Sequence, residues 1–386
     1  MNVLHMVSDA INWMGWYILP FVAIMSAIVF FHELGHYSVG RWCGVKIEAF
    51  SLGFGPELLH WVDGAGTRWR LALFPIGGYV KFLGDADAAS TPDSLATAAL
   101  SDADRRRTLA GQPLRNRAAI VAAGPAANFL LALVVFTGLF MVFGRSEHVA
   151  RIGVVEPNSA AALAGFQVGD VVKSIDGQPV VNFQDVQQAA LLNTGLTMTF
   201  IVDRAGQDVA LEAAPRITMV DQGALGKRRI GHLGLGSSRD PKDVSFERCS
   251  APTCVIWAGE QVGFISHATY AYVTGLFAGR ESVDQVSGPI AISQIAGEMA
   301  KISLWELLNL AALFSVSVGL MNLLPIPLLD GGMILLLLIE GIRRRDLDQN
   351  LKERVFQVAF VALILFAVFV TFNDVSRFSI FSKLKL

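Results

Sequence analysis

The chain has 386 residues, of which 53% are hydrophobic and only 17% charged, with a formal net charge of −2. That composition is too apolar for an ordinary soluble domain, and the missing basic surplus excludes a nucleic-acid-binding surface. Three cysteines without a Cys-x-x-Cys pair exclude thiolate zinc and dithiol redox motifs.

Residues 1–46 hold the first candidate transmembrane helix, roughly 16–40. No Lys or Arg precedes its apolar run, so a cleavable signal peptide is not expected. The run YILPFVAIMSAIVFF, Tyr17 to Phe31, is uncharged and leads directly into His32-Glu33-Leu34-Gly35-His36. Histidines four apart on a helix share one face, roughly 6 Å apart along the axis, and both can reach one Zn²⁺. Glu33 stands where it can take a proton from a water at that metal. Charged side chains inside a span cost roughly 2.5–3.5 kcal/mol each, so such groups mark function more often than satisfied core histidines.

Residues 47–84 alternate in β fashion, broken by Asp63-Gly64 and Gly66. Two or more strands in hairpins are expected, the last near Phe74–Phe82, with Gly77-Gly78 leaving its backbone exposed. A strand edge here can enter the membrane beside the metal helix and pair with an extended peptide, or belong to a plain cytoplasmic hairpin. Residues 85–116 read as a polar, mobile linker. A second transmembrane helix covers 117–143.

Residues 148–214 change character and read as strand, short helix, strand, helix and two more strands. Asn158-Ser159 can cap the short helix and Gly165 can end it. This order, with the phrase GFQVGDVVKSIDGQPV, resembles a bacterial PDZ domain, a fold that takes peptide or protein ligands by strand addition. Residues 215–303 read as an extended segment and amphipathic helices. The stretch 246–280 fits an interfacial helix or one packed on the spans, with a fifth span as the alternative. Cys249 and Cys254 can pair in an oxidising compartment, but free buried thiols are the expectation.

Residues 304–342 form the third transmembrane segment, and 354–373 the fourth. Within the third, Pro325 and Pro327 break the helix at membrane depth, as happens where broken helices line a polar site. A catalytic zinc site normally has three protein ligands, and Asp330, followed by Gly331-Gly332, is the best candidate for the third. The alternative makes Asp330 a helix cap.

Basic residues set the orientation. Arg41, Lys46, Arg105–Arg107, Arg115 and Arg117 lie between spans one and two; Arg343–Arg345, Lys352 and Arg354 lie between three and four. Both loops are expected in the cytoplasm, with the termini and 144–303 opposite. Arg377, Lys383 and Lys385 run against this rule and are outweighed.

Taken in order, HELGH at 32–36, FPIGGYVKFLGD at 74–85, GPAANF at 124–129, the PDZ phrase, SGPIAI at 287–292 and NLLPIPLLDGG at 322–332 are similar to the site-2 proteases. These are intramembrane zinc metalloproteases, here of the RseP type with a single PDZ domain. The resemblance implies Zn²⁺ held by His32, His36 and Asp330, and Glu33 as general base. It adds Asn322 as a residue that helps hold substrate or the oxyanion. The strand edge at Gly78, Tyr79 and Val80 is the candidate substrate contact.

The expected fold is a polytopic α-helical membrane protein with about four transmembrane helices, a membrane-associated β-hairpin region and one inserted PDZ (α+β) domain. The expected function is regulated intramembrane proteolysis of single-span proteins, such as anti-sigma factors or remnant signal peptides, after a first cut elsewhere. The expected location is the bacterial inner membrane, with the PDZ domain and both termini periplasmic, lipid around the spans and no nucleic acid. The rivals are a membrane-anchored PDZ chaperone with a vestigial metal site and a metal transporter. The transporter reading lacks inverted repeats, and the chaperone reading leaves Glu33 unused.

Overall fold

The computed structural model describes residues 14–85, 100–221, 227–238, 240–279, 288–345 and 347–377. Among these residues, four helices are long and apolar enough to cross a membrane: Gly15–Trp42, Leu114–Phe143, Leu304–Asn322 and a window at Arg354–Val375.

After a π-turn at Met14–Ile18, helix α1 runs from Leu19 to Trp42, with Pro20 in its first turn where a missing N–H costs nothing. Gly44 ends it in a left-handed conformation, φ 80°. Strands β1 (Ile47–Val62) and β2 (Arg68–Phe82) follow, and α2 spans Leu114–Phe143. Then come β3 (Ile152–Val155), α3 (Ala160–Ala164), β4 (Val171–Ile175), β5 (Gln178–Pro179), α4 (Phe183–Leu192), β6 (Met198–Arg204), β7 (Gln207–Ala213) and β8 (Leu235–Ser237). The helices α5 (Ala251–Phe277), α6 (Pro289–Ile302), α7 (Leu304–Asn322), α8 (Asp330–Arg343) and α9 (Gln349–Arg377) follow.

These elements form two compact units. In the first, α1 is the centre. One cluster packs Ile24 and Ile28 of α1 with Ala296 of α6 and with Leu307, Leu310 and Phe314 of α7. Another packs Phe30, Leu34 and Tyr37 of α1 with Phe50, Val80, Phe82, Leu109 and Ile120. Lipid gives helices no hydrophobic reason to associate, so close approach of small residues carries the contact. A Cβ on Gly35 would stand 2.3 Å from the Ala123 carbonyl oxygen, and one on Gly319 would stand 3.2 Å from Asn128 Cβ. Those two glycines bring α1 and α7 against α2.

The hairpin bends back on itself. Residues Ala49 to Leu52 of β1 have partners on both sides: Arg68 to Leu71 on one, Gly78 to Lys81 on the other. Among the described residues, Gly78 to Lys81 pair on one side, with Ala49 to Leu52, so they form a strand edge. Asp63 at the hairpin turn accepts from Trp69 Nε1 and the Tyr37 hydroxyl, both at 3.0 Å, and from the Ala65 and Thr67 backbone N–H groups. The Trp69 donor first, then the others, hold its carboxyl at about 2 against the opposing effect of burial. The turn is thereby tied to α1.

The break expected within residues 304–342 is present: α7 ends at Asn322, the chain turns through 323–329, and α8 begins at Asp330. Pro325 and Pro327 cannot continue the backbone ladder, and Gly331 and Gly332 sit where a Cβ would be 2.2–2.3 Å from the carbonyls of Leu324 and Ile326. Of the two readings offered for 246–280, the fifth span finds no support, because α5 is not among the helices long and apolar enough to cross a membrane. Two expectations meet a different structure. The linker at 85–116 is structured where it is described: a helical turn at Asp102–Arg105 leads to Leu109, 9% exposed in the α1 cluster, while 86–99 lie outside the described residues. Cys249 and Cys254 form a disulfide instead of remaining free thiols.

The second unit holds a four-stranded sheet in the order β5-β4-β6-β7. Ser159 caps α3 through its side chain, Gly165 ends it at φ 86°, and an Asn182–Asp185 capping box starts α4. Its core is Ile152, Phe166, Val172, Val186, Met198, Phe200 and Val202 with their neighbours. Strand β8, beyond the 214 boundary, pairs with β3 and adds Leu235 to this core.

In the first unit, Asp374 of α9 is fully buried and accepts from the backbone N–H groups of Gly288, Ile290 and Ala291 at 2.9–3.1 Å. It caps α6, whose own N-cap residue, Gly288, has no side chain to do so. Asp374→Ala should cost about 2–3 kcal/mol. Thermal unfolding in detergent should show a lowered midpoint, and Asp374→Asn, which keeps one acceptor oxygen, should lose less.

Candidate metal centre

The turn between α7 and α8 returns the chain to α1. It places Asp330 at the first position of α8, one residue after the N-cap Leu329, so Asp330 is not itself the N-cap residue. Instead Asp330 Oδ2 lies 3.2 Å from His32 Nε2, and Oδ1 lies 3.4 Å from His36 Nε2. The two Nε2 atoms are 3.2 Å apart. His32, His36 and Asp330 are the metal-capable cluster among the described residues.

The donor set fits a metal. His36 Nδ1 donates to the Ile120 carbonyl at 2.8 Å, so its Nε2 carries a lone pair. Asp330 Oδ2 is buried without a hydrogen bond of acceptable geometry. His36 Nε2 and Asp330 Oδ2 thus turn lone pairs into one gap, which a metal cation would fill. Zinc bonds of about 2.0–2.1 Å in a tetrahedral arrangement require donor atoms about 3.3 Å apart. The observed 3.2, 3.2 and 3.4 Å match that edge.

The expected companions line the same cavity of about 230 Å³: Glu33, Gly78, Tyr79, Val80 and Asn322. A Cβ on Gly78 would be 3.2 Å from Glu33 Cγ, so that glycine lets the strand edge lie against the glutamate. The backbone N–H of Val80 reaches toward the Glu33 carboxylate. Glu340, the other acidic residue of α8, is engaged with Arg117 and Lys352 and stands apart from the cluster.

Two residues that complete the site were not assigned from the sequence. Gly124 of α2 faces both imidazoles: a Cβ there would lie 2.2 Å from His36 Nε2 and 2.8 Å from His32 Cε1. The buried Asn128 amide lies 3.2 Å from His32 Nδ1. Both belong to GPAANF, and Pro125 within it was the available signal, since a proline inside a helix lacks the N–H that would bond the carbonyl four residues back. Leu328, also in the cavity wall, holds φ at 80°, a strained value for a branched side chain two residues before Asp330.

The sequence profile of Peptidase family M50 matches residues 20–366, which contain every one of these side chains. The chain belongs to peptidase family M50. A provisionally named zinc metalloprotease of Agrobacterium fabrum is 40% identical over 373 residues, covering 97% of this chain and 99% of its own. One of Rhizobium meliloti, also provisionally named, is 41% identical over 361 residues, 93% and 96% of the two chains. The metalloprotease MmpA of Caulobacter vibrioides is 35% identical over 380 residues, 93% and 95%. The family metal is zinc, and the donor geometry above suits it.

Gly124 gives a direct check on the fit. Gly124→Ala places a methyl group against rings held by Ile120 and Asn128. Overpacking of about 1–3 kcal/mol should lower zinc affinity by roughly tenfold to a hundredfold. Gly138→Ala, on the same helix with nothing within 4 Å, should bind zinc normally. Chelator competition on the two purified variants reads the difference.

Proposed function

We propose that this peptidase cleaves single-span membrane proteins within or beside the bilayer, after another protease has made a first cut. The observation that carries the reading is the convergence of His32, His36 and Asp330 between helices of membrane-spanning length and apolarity. Substrates of the anti-sigma factor or remnant signal peptide type fit this description.

In this reading His32, His36 and Asp330 hold the zinc, which supplies Lewis acidity to a water and to the scissile carbonyl. Glu33 is the general base: it takes the proton from the attacking water and passes it to the leaving amine. Asn322, at the end of α7 in the cavity wall, offers its amide to the substrate or the developing oxyanion. A helical substrate hides its carbonyls, so it must unwind before attack. Its freed backbone groups find no partner in lipid. The edge at Gly78, Tyr79 and Val80 supplies one by strand addition beside Glu33. Exposed Phe54, Leu58, Leu59, Trp61 and Phe74 on the hairpin support its insertion among lipids.

The two Arg-rich loops support a bacterial inner-membrane protein with those loops on the cytoplasmic side and residues 148–214 on the periplasmic side. The Cys249–Cys254 disulfide supports that side, because disulfides persist in oxidising compartments. The strand and helix order of the second unit supports the PDZ reading, with β8 added to it. There it filters substrates by the bulk of their outer parts or takes a peptide ligand.

Glu33→Gln keeps the side-chain size and leaves the ligands in place, so zinc content should be unchanged. Cleavage of a single-span peptide by the purified protein, abolished by chelator in the wild type, should fall by about 10²–10⁴-fold. Substantial turnover by this variant would remove Glu33 from its role.

Val80→Pro deletes one N–H at the strand edge. Cleavage of a helical transmembrane substrate should fall on the order of tenfold, the worth of about one backbone hydrogen bond. A short, already unfolded peptide should suffer less, and zinc content should stay normal. Equal loss on both substrates would mean that the N–H serves Glu33 alone, and no loss on either would end the strand-addition idea.

A further inference from the structure

His32 and His36 are held differently on the side away from the metal. His36 Nδ1 faces a carbonyl, which can only accept, so its tautomer is fixed. His32 Nδ1 faces the side-chain amide of Asn128 at 3.2 Å, and an amide offers a donor at one end and an acceptor at the other. Asn128 is fully buried, and its other amide end has no hydrogen-bond partner among the described residues. Nothing beyond His32 therefore pins the amide to one orientation. Its backbone, by contrast, is pinned: Ser315 Oγ of α7 donates to the Asn128 carbonyl at 2.8 Å, and Gly319 of α7 admits its Cβ.

We propose that Asn128 is the positioning residue for His32 and that its amide turns over when metal binds. This rests on the zinc reading above. With metal held by Nε2, the His32 proton sits on Nδ1 and is donated to Asn128 Oδ1. Without metal, the proton sits on Nε2, next to Asp330 Oδ2 at 3.2 Å, and bare Nδ1 accepts from Asn128 Nδ2. One proton moves between the two ring nitrogens, and the amide exchanges a donor for an acceptor in place. An apolar residue of the same volume does neither, while a carboxylate serves the metal-bound state alone. Such outer partners orient metal-bound imidazoles and raise their affinity.

The test uses the full-length protein in detergent. Chelator competition should show zinc affinity of Asn128→Leu lowered by about tenfold to a hundredfold, with Asn128→Asp restored close to wild type. Nitrogen NMR of ¹⁵N-histidine-labelled wild type should show His32 protonated on Nδ1 when zinc-loaded and on Nε2 when zinc-free. An Asn128→Leu protein that binds zinc as tightly as wild type would overturn the proposal. So would an Asn128→Asp protein as weak as Asn128→Leu, which would make the role one of packing. The NMR arm needs no variant, and the same tautomer in both states would overturn the turn-over. If wild type binds no zinc, the zinc reading fails as well; if wild type binds and Asn128→Leu matches it, only this inference fails.

Discussion

Hydrocarbon gives a polar side chain no partner, so ionisable groups carried on bilayer-length helices must meet one another or a cation. Everything around the site follows from that constraint. His32, Glu33 and His36 sit on α1, whose preceding residues carry no charge. Each ring nitrogen then needs a protein group or an ion. Ile120 and Asn128 of α2 supply the outer contacts, and Asp330 supplies the charge on the inner side. Glycines at 35, 124 and 319 let three helices come near enough for these contacts. Packing and polar satisfaction are here one problem, solved by removing side chains where backbones must approach.

The broken segment between α7 and α8 answers the second half of the constraint. A straight helix through 304–342 would present Asp330 from its middle, with its backbone groups already paired. Ending α7 at Asn322 and restarting at Asp330 frees the chain to turn, and Gly331 and Gly332 let the restart fold against the carbonyls of Leu324 and Ile326. Leu328 bears the strain of that turn in its positive φ. Opposite it, the bent hairpin lays a one-sided strand edge along the same cavity. The metal-capable cluster, the strained turn and the strand edge thus line one cavity.

The long apolar helices and the shared face of His32 and His36 were legible because helical periodicity and hydropathy are local properties of the chain. Asp330 was legible through Pro325 and Pro327, which mark a break. The short helix at Ala160–Ala164 was legible from Ser159 and Gly165, a cap and a stop. What the sequence did not reveal lies in contacts between distant segments. Gly124 and Asn128 stood in plain view within GPAANF, but their meaning depends on how α2 crosses α1. Leu109 looked like part of a polar linker because its neighbours are charged, yet it packs with Ile47 and Phe82. Strand β8 lies more than twenty residues past the repeating strand pattern that it completes. Pairing of Cys249 with Cys254 depended on compartment, which local sequence does not encode.

Zinc K-edge X-ray absorption on the purified, metal-loaded protein tests the central claim most directly. The account predicts a first shell of nitrogen and oxygen at about 2.0–2.1 Å, with the outer-shell signature of two imidazoles and no sulfur. Substitution of Asp330 by Ala should remove one oxygen from that shell and leave both imidazoles. A sulfur ligand, a single imidazole, or a shell unchanged by loss of Asp330 would contradict it.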